Sequence, residues 1–180
     1  EASKIVDLCE IYQFEDCGYP KGYRSNTRLI TNDQAFADKL YERIRACCPK
    51  TYKDEGVTWT ICGLNERFRW CKYVKGQLFG MHCDARFTRS GLEKSFYTVN
   101  VYLNDGKKDF GGGRTCFFNR TKSGDWKMSV GVVAKPGLAL IFNQYPEQIK
   151  HDGELVDHGV KYLMRTDVMY RANEEEMYGK

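Results

Sequence analysis

The chain has 180 residues, 42% of them apolar and 29% charged, a balance expected of a soluble globular domain and not of a disordered or membrane-spanning chain. Its net charge of +4 is mild and its basic residues are scattered, so no nucleic-acid footprint is indicated. The longest apolar stretch, VGVVAKPGLALIF, is broken by Lys135 and Pro136, which leaves no segment able to span a bilayer.

The N-terminal third reads as helical. SKIVDLCEIYQF places Ile5, Leu8, Cys9 and Tyr12 on one helical face. After the polar turn GYPKGYRSN, the segment TNDQAFADKLYERIRACCP offers Thr31, Asn32 and Asp33 as caps. Phe36, Leu40, Ile44 and Cys47 form its apolar stripe, and Pro49 ends it. From about residue 57 the pattern becomes β. VTWTI, ERFRWCKYV, QLFGMHC, SFYTVNVYLN, RTCFFN, WKMSVGVVA, LALIFN and KYLMRTDVMY are short, β-branched or aromatic, and separated by turn residues; NRTKSGD is a hairpin loop. Two helices followed by about eight strands predict an α+β domain spanning 1–180. Its core is one β-sandwich or jelly roll over about 57–171, with the N-terminal helices of 1–50 packed outside.

Eight cysteines occur without a C-x-x-C pair, a pattern that predicts buried reduced thiols rather than a zinc site or a disulfide framework. A reducing compartment, cytoplasmic or nuclear, is the corresponding expectation. The opening EASKIVDLCE shows no leader, and the sequon Asn119-Arg120-Thr121 keeps the secretory pathway open if a leader has been removed.

The chemistry begins at QLFGMHCDARF. In a strand His82 and Asp84 share a face while Cys83 turns away, which suits two ligands of one metal and equally a hydrogen-bonded structural pair. A metal needs a third ligand, and the remaining histidines are His151 and His158. Two histidines and one carboxylate form the facial triad of non-haem Fe(II) oxygenases.

Strand alternation adds further groups. If Tyr73 points inward, so do Cys71, Arg69, Arg67 and Asn65, while Phe68 and Trp70 face outward. Arginines on an inner face are costly unless paired, so Arg67 and Arg69 either meet internal acids or line the pocket to grip substrate. Arg86, in phase with His82 and Asp84, is a third such candidate. Lys161 and Arg165 share a strand face and either could pair with a buried carboxylate.

Five blocks in order resemble the Fe(II)- and 2-oxoglutarate-dependent dioxygenases of the prolyl 4-hydroxylase type: YVKGQLFGMHCD, SFYTVNVYLND, DFGGGRTCFF, VVAKPGLALIF and HDGELVDHGVKY. They cover roughly residues 60–171, and the resemblance implies that the core is a double-stranded β-helix (jelly roll). The resemblance implies that His82, Asp84 and His151 hold Fe(II), since His151-Asp152-Gly153 matches the second-histidine motif, and it leaves His158 in a loop. It implies that Lys161, ten positions later, holds the far carboxylate of 2-oxoglutarate, with Tyr73 and Tyr102 as hydrogen-bonding partners. Thr98 and Arg165 are further candidates at the co-substrate. Asn100 stands where the family carries an aliphatic residue, and joins Arg67, Arg69 and Arg86 as a substrate-side candidate.

The implied activity is hydroxylation of an unactivated C–H bond with O2, giving succinate and CO2; ascorbate is compatible as an accessory reductant. A prolyl or other residue of a peptide or protein is the expected substrate. The same chemistry on a small molecule or a nucleic-acid base is the alternative, and a non-catalytic β-sandwich binding module is a third.

Overall fold

The structure is a computed structural model, and it describes residues 1–144 and 149–179. Three α-helices flank the β-core: α1 (Ala2–Ile11), α2 (Gln34–Ile44), which runs into a 3-10 turn at Arg45–Cys47, and α3 (Glu174–Tyr178). The strands of the first half are β1 (Glu15–Asp16), β2 (Thr27–Asn32), β3 (Thr51–Asp54), β4 (Val57–Leu64), β5 (Arg67–Val74), β6 (Phe79–His82) and β7 (Thr88–Ser90). Those of the second half are β8 (Glu93–Tyr102), β9 (Phe110–Gly112), β10 (Thr115–Arg120), β11 (Trp126–Val132), β12 (Ala139–Asn143), β13 (Lys150–Gly153) and β14 (Val156–Ala172).

They form two sheets. In the larger, β14 is the organising strand: β8 lies antiparallel along one edge, and β5 and then β4 pair with successive parts of the other. The smaller sheet has the order β11-β10-β13-β6. This curled two-sheet arrangement is the expected jelly roll, with the expected helices outside.

Alternation along β5 decides which side of the large sheet faces what. Phe68 and Trp70 point outward into a core completed by Ala37 and Ile44 of α2 and by Met164 and Val168 of β14. Phe36 of α2 sits with its ring centroid 4.9 Å from that of Phe68. Arg69, Cys71 and Tyr73 point the other way, and Cys71 and Tyr73 join Tyr102, Phe110, Val156 and Leu163 in a second core between the sheets. The helix α2 starts where the sequence places it, because the Asp33 carboxylate accepts a hydrogen bond from Phe36 N at 2.9 Å. Helix α1 is tied to the sheet by Glu10, which receives hydrogen bonds from Lys72 Nζ and the Tyr162 hydroxyl, each at 2.8 Å.

The N-terminal third is less helical than its periodicity suggests. Strands β1 and β2 occupy part of it, and β2 pairs along β5 from Thr27↔Lys72 to Asn32↔Arg67. Strands β3, β7, β9 and β13 and helix α3 also go beyond the expected elements. Each is short or polar, so neither period emerges above the noise of a few residues. Four of the eight cysteines, Cys9, Cys48, Cys71 and Cys116, are buried thiols.

Candidate active site between the two sheets

Pairing of β13 with β6 sets His151 directly opposite His82. Strand β6 ends at His82, so Asp84 lies in the loop beyond it rather than in phase on the strand, yet its carboxylate still reaches both rings. His82 Nε2 is 3.5 Å from Asp84 Oδ1, and His151 Nε2 is 3.7 Å from Oδ2. One ligand atom from each of the three residues lies within 4.8 Å of the others.

The ring orientations suit a cation. His82 Nδ1 faces the Gly80 carbonyl at 2.8 Å and His151 Nδ1 faces the Ile149 carbonyl at 3.3 Å. Each carbonyl favours a proton on Nδ1, which leaves both Nε2 lone pairs aimed at the carboxylate. Burial pushes the His151 pKa down to about 4, so the ring is neutral at pH 7. For Asp84, burial alone would raise the pKa. Arg165, both imidazoles and a hydrogen bond from Thr98 Oγ1 at 2.7 Å outweigh it and keep the carboxyl well below its usual range. Two imidazoles offering Nε2 and one carboxylate fit a divalent iron with open positions.

A cavity runs from this cluster into the barrel. At its far side lies Lys161, 2% exposed and without a carboxylate partner among the described residues. Its Nζ donates to the Gly113 carbonyl at 2.7 Å and sits 5.0 Å from the centroid of the Tyr73 ring. Burial pushes the Lys161 pKa down to about 8. The carbonyl reaches it because the preceding turn is left-handed: Gly112 has φ +67°, and a Cβ there would stand 2.2 Å from the Leu155 oxygen. Tyr102 donates to Thr115 Oγ1 at 2.6 Å on the same cavity wall. Asn100 also lines the cavity, and its buried Oδ1 has no hydrogen-bond partner among the described residues. A buried cation at the end of a polar cavity suits a dicarboxylate whose near end meets a metal.

A family model for the 2OG-Fe(II) oxygenase superfamily matches residues 68–167. The chain belongs to this superfamily. It is a 2-oxoglutarate-dependent dioxygenase, and Fe(II) and 2-oxoglutarate are the cofactor and co-substrate that membership implies. Comparison with curated protein sequences finds no match.

Solved structures share the oxygenase's fold. A Trichoplax adhaerens prolyl hydroxylase, in complex with a hypoxia inducible factor oxygen degradation domain peptide fragment, aligns with TM-score 0.66 and 15% identity over 97% of this chain and 77% of that one. The viral collagen prolyl hydroxylase of Paramecium Bursaria Chlorella virus-1, as its 2OG complex, gives 0.59 and 15% over 94% and 89%. A Pseudomonas putida prolyl-4-hydroxylase gives 0.57 and 13% over 96% and 86%.

In the oxygenase, the polar residues read from strand alternation fall into three sets. Lys161, Tyr73, Asn100 and Arg165 line the inner cavity, with Tyr102 just behind it. Thr98 acts through Asp84, and Arg165 makes an ion pair with the same carboxylate at 2.7 Å. Arg69 pairs with the fully buried Asp167 at 3.0 Å, and Asp167 also accepts from Gln144 Nε2 at 2.9 Å and Asn65 Nδ2 at 3.2 Å. Arg86 lies in the loop after β6 and turns to Asp54, with contacts of 2.9 and 3.2 Å. Arg67 lines neither cavity at the histidine cluster. His158 is exposed at the start of β14, opposite Gly111.

Several contributors carry no sequence signal of their own. Thr115 and Gln144 are ordinary polar residues until the strands close. Arg24 and Phe79 meet through an isolated bridge between a loop and β6.

Proposed function

We propose that this oxygenase hydroxylates a residue of a peptide or protein, with proline first among the candidates. In this proposal His82, Asp84 and His151 hold Fe(II), and Lys161 holds the distal carboxylate of 2-oxoglutarate. The convergence of three ligand atoms within 4.8 Å, at one end of a cavity whose other side holds a buried lysine, carries the proposal. Iron and 2-oxoglutarate, when bound, supply oxidative decarboxylation that yields succinate and carbon dioxide and places one oxygen atom of O2 on a substrate C–H bond.

The protein's own part is placement and charge. The Gly80 and Ile149 carbonyls hold both imidazoles in the tautomer that offers Nε2. Thr98 and Arg165 fix the Asp84 carboxylate from two sides. The buried Lys161 would neutralise the far carboxylate, and Thr115, Tyr102 and Tyr73 shape the walls around it. A peptide substrate is supported by a second, larger cavity that opens outward from His82 and Asp84. The Trichoplax adhaerens structure of the same fold holds a peptide fragment.

An anaerobic titration with Fe(II) and 2-oxoglutarate tests the assignment through the visible charge-transfer band of the chelate. We expect the band in the parent protein and in His158→Ala, and its loss in His151→Ala. A band that survives in His151→Ala but vanishes in His158→Ala would reassign the third ligand, and no band in the parent would remove the proposal.

A further inference from the structure

The outer cavity has a charge imbalance that the catalytic assignment does not use. Five arginines line it, Arg24, Arg28, Arg69, Arg86 and Arg165, against one acid, Asp84. Three of the five are already engaged: Arg69 with Asp167, Arg86 with Asp54, and Arg165 with Asp84. Asp54 also takes Lys94, and Asp84 belongs to the proposed metal site; Glu15 stands opposite Arg28 across β1 and β2 but makes no ion pair with it among the described residues. Neither Arg24 nor Arg28 has a carboxylate partner among the described residues.

Arg24 is the more telling of the pair because it is only 8% exposed. A guanidinium stays charged at any physiological pH, and burying one without a counter-charge is costly. Its Nε donates to Asn26 Oδ1 at 2.8 Å, and its guanidinium carbon lies 4.2 Å from the centroid of the Phe79 ring. Those contacts orient the group without neutralising it. The Phe79 ring in turn stacks on His82 with centroids 3.6 Å apart. The uncompensated cation thus sits beside a proposed iron ligand, within reach of an anion about one to three extended residues from the reacting carbon.

We propose that Arg24 and Arg28 form the recognition site for a carboxylate side chain of the peptide substrate, close in sequence to the residue that is hydroxylated. This rests on the peptide-hydroxylase proposal above. A planar carboxylate suits a guanidinium fork, and the half-buried Arg28 adds a second positive charge from β2. Asp84 lines both cavities and belongs to the histidine cluster, Lys161 lines only the inner one, and Arg24 reaches both, so co-substrate binding by the double variant is part of the test.

The test is binding without turnover, with Mn(II) and 2-oxoglutarate bound in the absence of oxygen. Fluorescent proline-containing peptides, varied around a fixed proline to carry Glu, phosphoserine, Gln or Lys, are titrated by anisotropy. N-acetylaspartate and inorganic phosphate serve as small probes. We expect at least one acidic position to improve affinity about tenfold over its Gln counterpart, and the preference to vanish in Arg24→Gln/Arg28→Gln. Phosphoserine binding with no response to Glu would replace the carboxylate by a phosphate.

Peptides that bind with no acidic preference overturn the inference and leave the peptide proposal standing. If no peptide binds but N-acetylaspartate does, in an Arg24- and Arg28-dependent manner, the peptide substrate is overturned and the pair serves a small acid. If no probe binds, or if the double variant loses 2-oxoglutarate binding instead, the assignment of these arginines to substrate is overturned.

Discussion

Lys161 illustrates how much one buried side chain can govern. Its pKa falls to about 8 because the ammonium is almost wholly removed from water, against 10.5 for the free side chain. The sign of the consequence follows from proton counts. Between about pH 8 and 10.5 the unfolded chain carries the proton and the folded one does not, so folding stability rises with pH across that window. Below pH 8 the full cost of burying the charge is present, roughly 3 kcal/mol at about 1.4 kcal/mol per unit. Chemical denaturation of the protein without co-substrate should therefore show a rising component between pH 8 and 10 that Lys161→Met lacks. In the proposed assignment co-substrate reverses the preference, since its far carboxylate needs the ammonium. Affinity for N-oxalylglycine, measured calorimetrically with Mn(II), should hold below pH 8 and weaken up to about tenfold per unit above it. A flat pH profile in both measurements would place the carboxylate elsewhere. Lys161→Arg should keep binding at pH 9 better than the parent, because a guanidinium does not lose its proton there.

At the scale of elements, α2 and β5 show which parts of the fold could be read in advance. The alternation of β5 survives in the structure because its two faces meet different media. Phe68 and Trp70 meet a helix, while Arg69, Cys71 and Tyr73 meet the barrel interior. The same holds for Thr98, Asn100 and Tyr102 on β8, and for Lys161 and Arg165 on β14, so period two located most inward polar groups. It failed where regular pairing stops. Arg86 follows the end of β6, and its reach to Asp54 is a loop geometry that alternation cannot supply. Strand β13 was hidden for a different reason. Its residues Lys-His-Asp-Gly carry function instead of an apolar pattern, and only pairing with β6 and β10 makes them a strand. Arg24 lies outside every motif and gains meaning only from its bridge to Phe79. The readable cap of α2 supports a prediction at this scale. Asp33→Ala should cost about 1 kcal/mol, seen as a fall of about 2–4 °C in Tm, because Phe36 N loses its acceptor. Mn(II)-dependent N-oxalylglycine binding should be unchanged, since α2 covers the outer face of the sheet; an equal loss of binding would mean that helix packing governs the cavity.

For the whole molecule, the metal site joins parts that otherwise meet across a cavity. His82 and His151 belong to the four-stranded sheet, whereas Thr98 and Arg165, which hold Asp84, belong to the larger one. Asp84 itself lies in the chain between β6 and β7. A cation bound to all three ligands therefore ties the two sheets across the cavity, and an unfolded chain offers no comparable site. Ligation should then act as a thermodynamic clamp. Saturating Mn(II) at about 100 times its Kd should stabilise the fold by about 2.7 kcal/mol, and 2-oxoglutarate should add to that only when metal is present. Asp84→Ala is the decisive variant, but its own Tm is ambiguous. It removes the partner that holds Arg165 at 2.7 Å and leaves that guanidinium with Asp167 at 3.8 Å. Breaking a buried pair in this way costs about 3–5 kcal/mol whether or not a metal ever binds. The increment on adding Mn(II) separates the two effects, because Arg165 has lost the same partner in both halves of that comparison. We expect a clear rise in Tm with Mn(II) in the parent, none in Asp84→Ala, and a partial one in Arg165→Gln, where the carboxylate remains but is held by Thr98 alone. An increment that persists in Asp84→Ala would put the ion outside the His82, Asp84 and His151 cluster, and the two sheets would then be joined by packing and hydrogen bonds alone.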